Sequence, residues 1–218
     1  MPEINLLRRY PQAKRDIQKR KSVQSPENIE IARRYAFEYF DGTRDQGYGG
    51  YRYDGRWIPI AEDIIAHYGL KEGDKVLDIG CAKGFLVKDL RKVCPGLEPF
   101  GIDISEYAMM HCEPEVIGRL HLGCASSLPF PDKSFDFVIS INTLHNLESE
   151  SLKKALKEIM RVSKGPAYVQ VDSYHTPEER DIFLSWVLTA KTHDYPDGWI
   201  KIFQDAGYTG DYGWTIVN

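Results

Sequence analysis

No apolar run in the 218 residues approaches the roughly 18–20 that a membrane-spanning helix needs, and the polar opening Met1-Pro-Glu-Ile-Asn does not read as a secretory leader. Cysteine is scarce. Cys81, Cys94, Cys112 and Cys124 show neither CxxC pairing nor metal-ligand spacing, so free thiols in a reducing cytoplasm are expected, with no metal site. Internal repeats, low-complexity tracts and a GxGxxG turn are missing too, and the last of these argues against a dinucleotide dehydrogenase. There is no basic excess: 28 Lys and Arg face 32 Asp and Glu. Residues 1–21 hold seven Lys/Arg against Glu3 and Asp16, a balance of +5 that leaves −9 on the remainder of a chain whose net charge is −4. So acidic a remainder weighs against DNA or bulk RNA as the substrate. The basic arm reads either as a solvated, loosely docked tail or as a phosphate- or partner-binding arm.

What is present centres on Lys75-Val-Leu-Asp-Ile-Gly-Cys-Ala-Lys-Gly-Phe-Leu86. Val76, Leu77 and Ile79 form a short β-branched run, a buried strand. Gly80, Ala82 and Gly84 allow a sharp turn, and helical spacing resumes at Phe85. Free N–H groups at the start of that helix face whatever lies on the turn. Asp78 discriminates among ligands, because a carboxylate at the strand end repels a pyrophosphate and suits a cationic or hydroxyl-bearing group. From residue 75 onward, strand patterns alternate with helical ones, the signature of a doubly wound, mostly parallel α/β sheet. Pro99–Ile104 is the second strand, 135–142 the fourth and 167–173 the fifth. Helices are expected over 151–162, from Thr176-Pro177 to about Ala190, and over 199–206.

The stretch at residues 75–86 resembles the first motif of the class I S-adenosylmethionine-dependent methyltransferases, a strand running into (D/E)xGxGxG. The resemblance implies that Asp78, Gly80, Cys81, Ala82 and Gly84 hold the amino-acid end and sugar of S-adenosylmethionine. It departs at Ala82, tolerable if the local φ is negative, and at Lys83, where a small or polar residue is commoner. Asp103, 25 positions after Asp78, matches the second motif and would take the ribose hydroxyls, with Ile104 over an adenine face. Arg119–Phe130 resembles the third-strand motif G-D-A-x-x-L-P-F. Cys124 stands where its Asp is usual, leaving Ala125 backbone groups to read the base edge. Asn142 would touch the methionine end. The resemblance covers about residues 74–208. With ten residues after Tyr208, a sixth–seventh strand hairpin does not fit, and a truncated sheet edge is expected.

Residues 1–70 lie almost wholly outside that resemblance and form an expected N-terminal unit of basic arm, helices and loop, ahead of a cofactor domain at 71–218. Ser25-Pro26 starts an amphipathic helix expected over 26–40. Residues 58–69 form another, stopped by Gly69. Between them, 41–57 holds five glycines, three tyrosines, a tryptophan and Arg44, Arg52 and Arg56. This reads as a substrate-covering loop with Tyr48, Tyr51, Arg52, Tyr53 and Arg56 on the acceptor, or as a packed loop closing the core. Methyl transfer needs alignment and exclusion of water, and a base only for a proton-bearing acceptor. His145, after strand four, is the candidate base or else holds its loop. Tyr174 and His175 are candidates for a pocket wall. The reading is a methyltransferase acting on O or N of a small, anionic metabolite. The alternatives are a tRNA or protein modifier gripped by the basic arm and a non-catalytic cofactor-binding regulator. Oligomeric state is left open.

Overall fold

The computed structural model describes residues 1–11 and 15–217. Six strands make one sheet: β1 (Lys75–Ile79), β2 (Glu98–Asp103), β3 (Leu120–Leu122), β4 (Phe137–Ile141), β5 (Ala167–Ser173) and β6 (Asp211–Ile216). Their order is β3-β2-β1-β4-β5-β6 and every pairing is parallel. The order reverses between β1 and β4, which opens a crevice at the carboxyl ends there.

The helices are α1 (Ile17–Val23), α2 (Pro26–Ala32), α3 (Phe37–Phe40), α4 (Ile58–Tyr68), α5 (Phe85–Val93), α6 (Glu106–Met110), α7 (Ser149–Val162), α8 (Pro177–Trp186) and α9 (Pro196–Asp205). Successive strand residues point to opposite faces, and β1 shows the result. Val76 packs with Ile60, Ile64, Leu86 and Leu90 of α4 and α5. Leu77 and Ile79 join Leu156 and Ile159 of α7 and Trp199 and Phe203 of α9. The sheet is thus covered on both sides, as the alternating strand and helix patterns predict. Gly69 adopts φ 63° after Tyr68 and ends α4 in a left-handed cap.

Four expectations are corrected or sharpened. The helix over 26–40 is broken: α2 is capped by the Ser25 hydroxyl, then Tyr35 turns left-handed (φ 50°) and Ala36 is extended before α3 resumes. Tertiary bonds outweigh the local pattern, since the Tyr35 carbonyl accepts from the Ser105 hydroxyl at 2.6 Å and Arg33 donates to the Ala190 carbonyl at 3.2 Å. Likewise α8 stops at Trp186 rather than near Ala190, where the Gln24 amide donates to the carbonyls of Leu184 and Val187. The sheet ends without a hairpin among the described residues, yet its edge is a full strand. β6 runs beside β5 from Tyr168↔Asp211 to Ser173↔Ile216, and residues 2–4 continue the pairing through Tyr212. The basic arm is docked along its described part, with Leu6 buried and Arg8 and Arg9 paired to Asp63 and Glu62 of α4. No helix among the described residues is long and apolar enough to cross a membrane.

Candidate active site

β1 delivers Asp78 to the crevice and the chain turns at once. Gly80 and Gly84 have φ of 83° and 80°, and Ala82 has φ 49°, so the negative φ anticipated for Ala82 is not what this turn uses. A left-handed alanine costs about 1–2 kcal/mol. The Ala82 N–H donates to Asp103 Oδ2 at 2.8 Å, which holds it there. A Cβ on Gly80 would collide with the Thr143 side chain, and one on Gly84 would press on Val116 and Leu120. Cys81 turns its thiol against Gly101 of β2, so only its backbone belongs to the turn.

Asp78 is 5% exposed, and no hydrogen bond reaches its carboxylate among the described residues. Burial, with the Asp103 charge beside it, pushes its pKa up to about 7. Asp103 is also raised by burial, against the pull of the Ser105 and Ala82 N–H groups. A buried, unpartnered carboxyl group at a strand end is expensive unless a ligand completes it. A ligand with a cationic amino-acid end and a hydroxylated sugar fits that cradle. Ile104 next to Asp103 is 58% exposed, an apolar surface free to cover a flat base.

The segment from Tyr35 to Trp57 roofs this end. Lys83, 7% exposed within the glycine turn, donates to Asp41 Oδ2 at 2.5 Å and to the Tyr51 carbonyl at 3.0 Å. Tyr107 donates to the same Asp41 oxygen at 2.7 Å. The unusual lysine is therefore the roof's anchor. Tyr51 stacks on Phe85 with ring centroids 4.6 Å apart, near enough to feel Asp78 and Asp103. Tyr48 packs against Tyr39 and Tyr51, lies in reach of Asp103 and Asp172, and is 42% exposed.

The other end is built at β4 and β5. His145, 4% exposed, accepts the Asp172 N–H at Nδ1 (3.0 Å), so its neutral ring carries the proton on Nε2. That nitrogen lies 3.5 Å from Asp172 Oδ2. Burial raises the Asp172 pKa, while His145 and Arg15 oppose the rise. Asp172 was missed in the sequence reading. The signal was there: Gln170 and Asp172 are polar residues two apart within the strand, on one face.

The predicted residues divide. Asp78, Gly80, Ala82, Gly84, Asp103, Tyr48 and Tyr51 converge on one crevice, and His145 borders it behind Asp172. Ala125 is part-buried against the core after β3, with the Cys124 thiol 3.1 Å from the Ser126 hydroxyl. Asn142, left-handed at φ 52°, accepts from Thr215 at 2.8 Å, so β6 already occupies its side chain. Tyr53 donates to the buried Asp89 of α5 at 2.6 Å, and Arg56 pairs with Asp54 and lies over Tyr10. Arg52 is exposed on the roof. Tyr174 is buried against Phe183 and meets His193 at 3.0 Å, and His175 pairs with Glu179 on α8. Tyr53, Arg56, Tyr174 and His175 are thus engaged away from the crevice.

An all-parallel sheet in this order, with acidic ends on β1 and β2 flanking a small-residue turn, is the Rossmann-like fold of the class I S-adenosylmethionine-dependent methyltransferases. Residues 77–169 match the family model described as a methyltransferase domain. Demethylmenaquinone methyltransferase of Symbiobacterium thermophilum is 33% identical over 118 residues, 50% of this chain and 46% of that protein. tRNA (carboxymethyluridine(34)-5-O)-methyltransferase of Arabidopsis thaliana is 27% identical over 176 residues, 78% of this chain and 40% of that one. The crystal structure of a SAM-dependent methyltransferase from Archaeoglobus fulgidus superposes with TM-score 0.55 at 23% identity, covering 78% of this chain and 72% of that chain. The chain spans about half the length of the curated relatives it matches.

Proposed function

We propose that the chain transfers a methyl group from S-adenosylmethionine to an O or N atom of a small metabolite. The carrying observation is the buried, unpartnered Asp78 carboxylate beside the Gly80–Gly84 turn. In this reading Asp78 takes the cationic amino-acid end, Asp103 the ribose hydroxyls and Ile104 the adenine face. The cofactor supplies a methyl group already activated on a sulfonium. The protein's part is then alignment and exclusion of water, which the tyrosine roof provides. Asp172 is the general base for an acceptor that keeps its proton. His145 accepts the Asp172 N–H at Nδ1, with Nε2 3.5 Å from the carboxylate, and is a positioning residue, so the proton-accepting role first considered for it passes to its neighbour.

The small-molecule reading is preferred to a tRNA or protein substrate because part of the arm's charge is spent internally. Arg8 and Arg9 are paired to α4, and Arg20 is buried. A carboxylate–imidazole pair at the crevice favours catalysis over a purely regulatory role. Calorimetric titration with S-adenosylhomocysteine tests the cofactor assignment. Asp78→Ala with Asp103→Ala should weaken binding at least ~100-fold, since each charged hydrogen bond contributes about 1.5–3 kcal/mol. Undiminished binding by the double variant would remove the reading.

A further inference from the structure

Three carboxylates stand on one face of the sheet, at its carboxyl end. Leu77, Ile79, Ile102, Val169 and Val171 pack toward α7 and α9, whereas Val76 and Tyr168 pack toward α4 and α5. Alternation along each strand therefore sends Asp78, Asp103 and Asp172 to the α4–α5 side. Asp78, 5% exposed and unpartnered, marks that face as built for positive charge. The three are not at one height. Asp78 is level with Ile139 of β4, and Ile139 with Tyr168 of β5. Asp172 lies two same-face positions beyond Tyr168, about 13 Å at ~3.3 Å per residue. Asp78 and Asp103 thus line the floor assigned to the cofactor, and Asp172 stands above it, on the acceptor's side.

Among the described residues, His145 is the partner within ion-pair distance of the Asp172 carboxylate. Its ring accepts the Asp172 N–H at Nδ1, so it is neutral and does not cancel that charge. Arg15, whose charge also bears on Asp172, is seated over Trp186 at 5.6 Å from the ring centroid. Lys83 is paired with Asp41. The roof brings phenol rings to the same end. The Tyr48 N–H donates to the Tyr39 carbonyl at 2.8 Å, and the Tyr39 ring lies 5.1 Å from that of Tyr48 and 5.2 Å from that of Tyr35. The Thr189 hydroxyl bonds both Tyr35 and Tyr39. The residues after it tie this group to the His145 loop. The Ala190 carbonyl accepts from Arg33 at 3.2 Å, and the Lys191 and Thr192 N–H groups donate to the His145 carbonyl at 2.9 and 3.0 Å. The roof's Arg44 is engaged by the Tyr48 carbonyl and Arg56 by Asp54. A carboxylate below electron-rich rings attracts a cation and repels an anion.

We propose that the methyl acceptor is a small amine, held as its ammonium form between the Asp172 carboxylate and the Tyr39 and Tyr48 rings, with nitrogen as the accepting atom. The proposal rests on the methyltransferase reading and narrows it. The ammonium gives one proton to Asp172, which frees the nitrogen lone pair. That pair forms the new N–C bond while the methyl C–S bond breaks and its electrons return to sulfur. The product leaves as a methylated ammonium, and Asp172 passes its proton to water. An amine replaces the anionic metabolite that the arginine content of the roof led us to expect.

Calorimetric titration of the whole protein, saturated with S-adenosylhomocysteine, with benzylammonium, benzyl alcohol and benzoate at constant ionic strength tests the charge preference. Benzylammonium should bind tightest and benzoate weakest. Asp172→Asn should weaken benzylammonium about tenfold or more and leave benzyl alcohol within about twofold. Tyr48→Leu should weaken benzylammonium about threefold. Benzylammonium that binds no better than benzyl alcohol, or equally well in either variant, overturns the proposal. So does a labelled methylation product, from the small-molecule fraction of a cell extract, that a cation-exchange resin does not retain at neutral pH. Titration with S-adenosylhomocysteine alone keeps the two readings apart. Asp172→Asn should bind it as the parent does. A parent that does not bind it would sink the methyltransferase reading, whatever the amine result.

Discussion

The two ends of the crevice are made in different ways. The end at β1 and β2 is built by two strands and the turns that follow them, all within residues 75–105. The end at β4 and β5 is assembled from His145 and Asp172, and the roof, drawn from the first 57 residues, is fastened at the first end by Lys83. The backbone frame of the first end is short-range. The roof and the second end are long-range and defined by side chains. Substrate choice can therefore change at one end while the other stays as it is.

Substitutions can break or sharpen that contrast. The largest effect belongs to Asp172→Asn, which should lower turnover ~100-fold or more while leaving S-adenosylhomocysteine affinity within about twofold, read by steady-state kinetics and calorimetry. Equal loss of both would mean that the ends are not separable. Lys83→Met strikes the joint between them. It leaves the Asp41 carboxylate without its buried partner and should cost about 2–4 kcal/mol in urea unfolding. Adding Asp41→Asn should recover part of that loss. A Lys83→Met protein as stable as the parent would show that the roof is held elsewhere.

Asp78→Asn probes the first end alone. Its carboxyl pKa is raised in the folded protein, so the folded state binds more protons than the unfolded one between the two values. Stability of the ligand-free protein then falls as pH rises from about 4 to about 7. The amide should remove that fall, raising stability at pH 8 by ~4 kcal/mol while S-adenosylhomocysteine binding weakens. An unchanged pH profile of unfolding would place the titration on another group. Ala82→Gly should have the smallest effect. Relief of the left-handed strain slightly exceeds the added freedom of the unfolded chain, for a gain of ~0.5 kcal/mol and no change in binding. A clear loss of stability in thermal unfolding would contradict the strain at Ala82.

How much of this was legible follows from the same division. Asp78, Gly80, Gly84 and Asp103 could be found because each sits a fixed step from an apolar strand. Even there, Ala82 went astray, because one hydrogen bond to Asp103 sets its φ. At the other end and in the roof only residue types were legible. The roof could be recognised by its glycines and aromatics, yet composition does not say that Tyr51 stacks on Phe85 while the Tyr53 hydroxyl goes to Asp89, one turn along α5. The helix over 26–40 broke where Tyr35 bonds Ser105, a partner 70 positions away. Asp172 was passed over as a strand residue because strand periodicity shows a polar side, not what that side meets.

The pairing of Pro2 and Ile4 with Tyr212 bears on how these molecules behave in a crowd. An uncovered strand at the margin of a sheet is a template on which a neighbour can grow, and proteins that stay dispersed blunt it. Here one margin is only the three residues of β3, and the other carries a few borrowed residues along β6. Trimming those residues for convenience would bare the Tyr212 backbone groups and invite head-on stacking between copies, a loss of solubility arising far from any catalytic group.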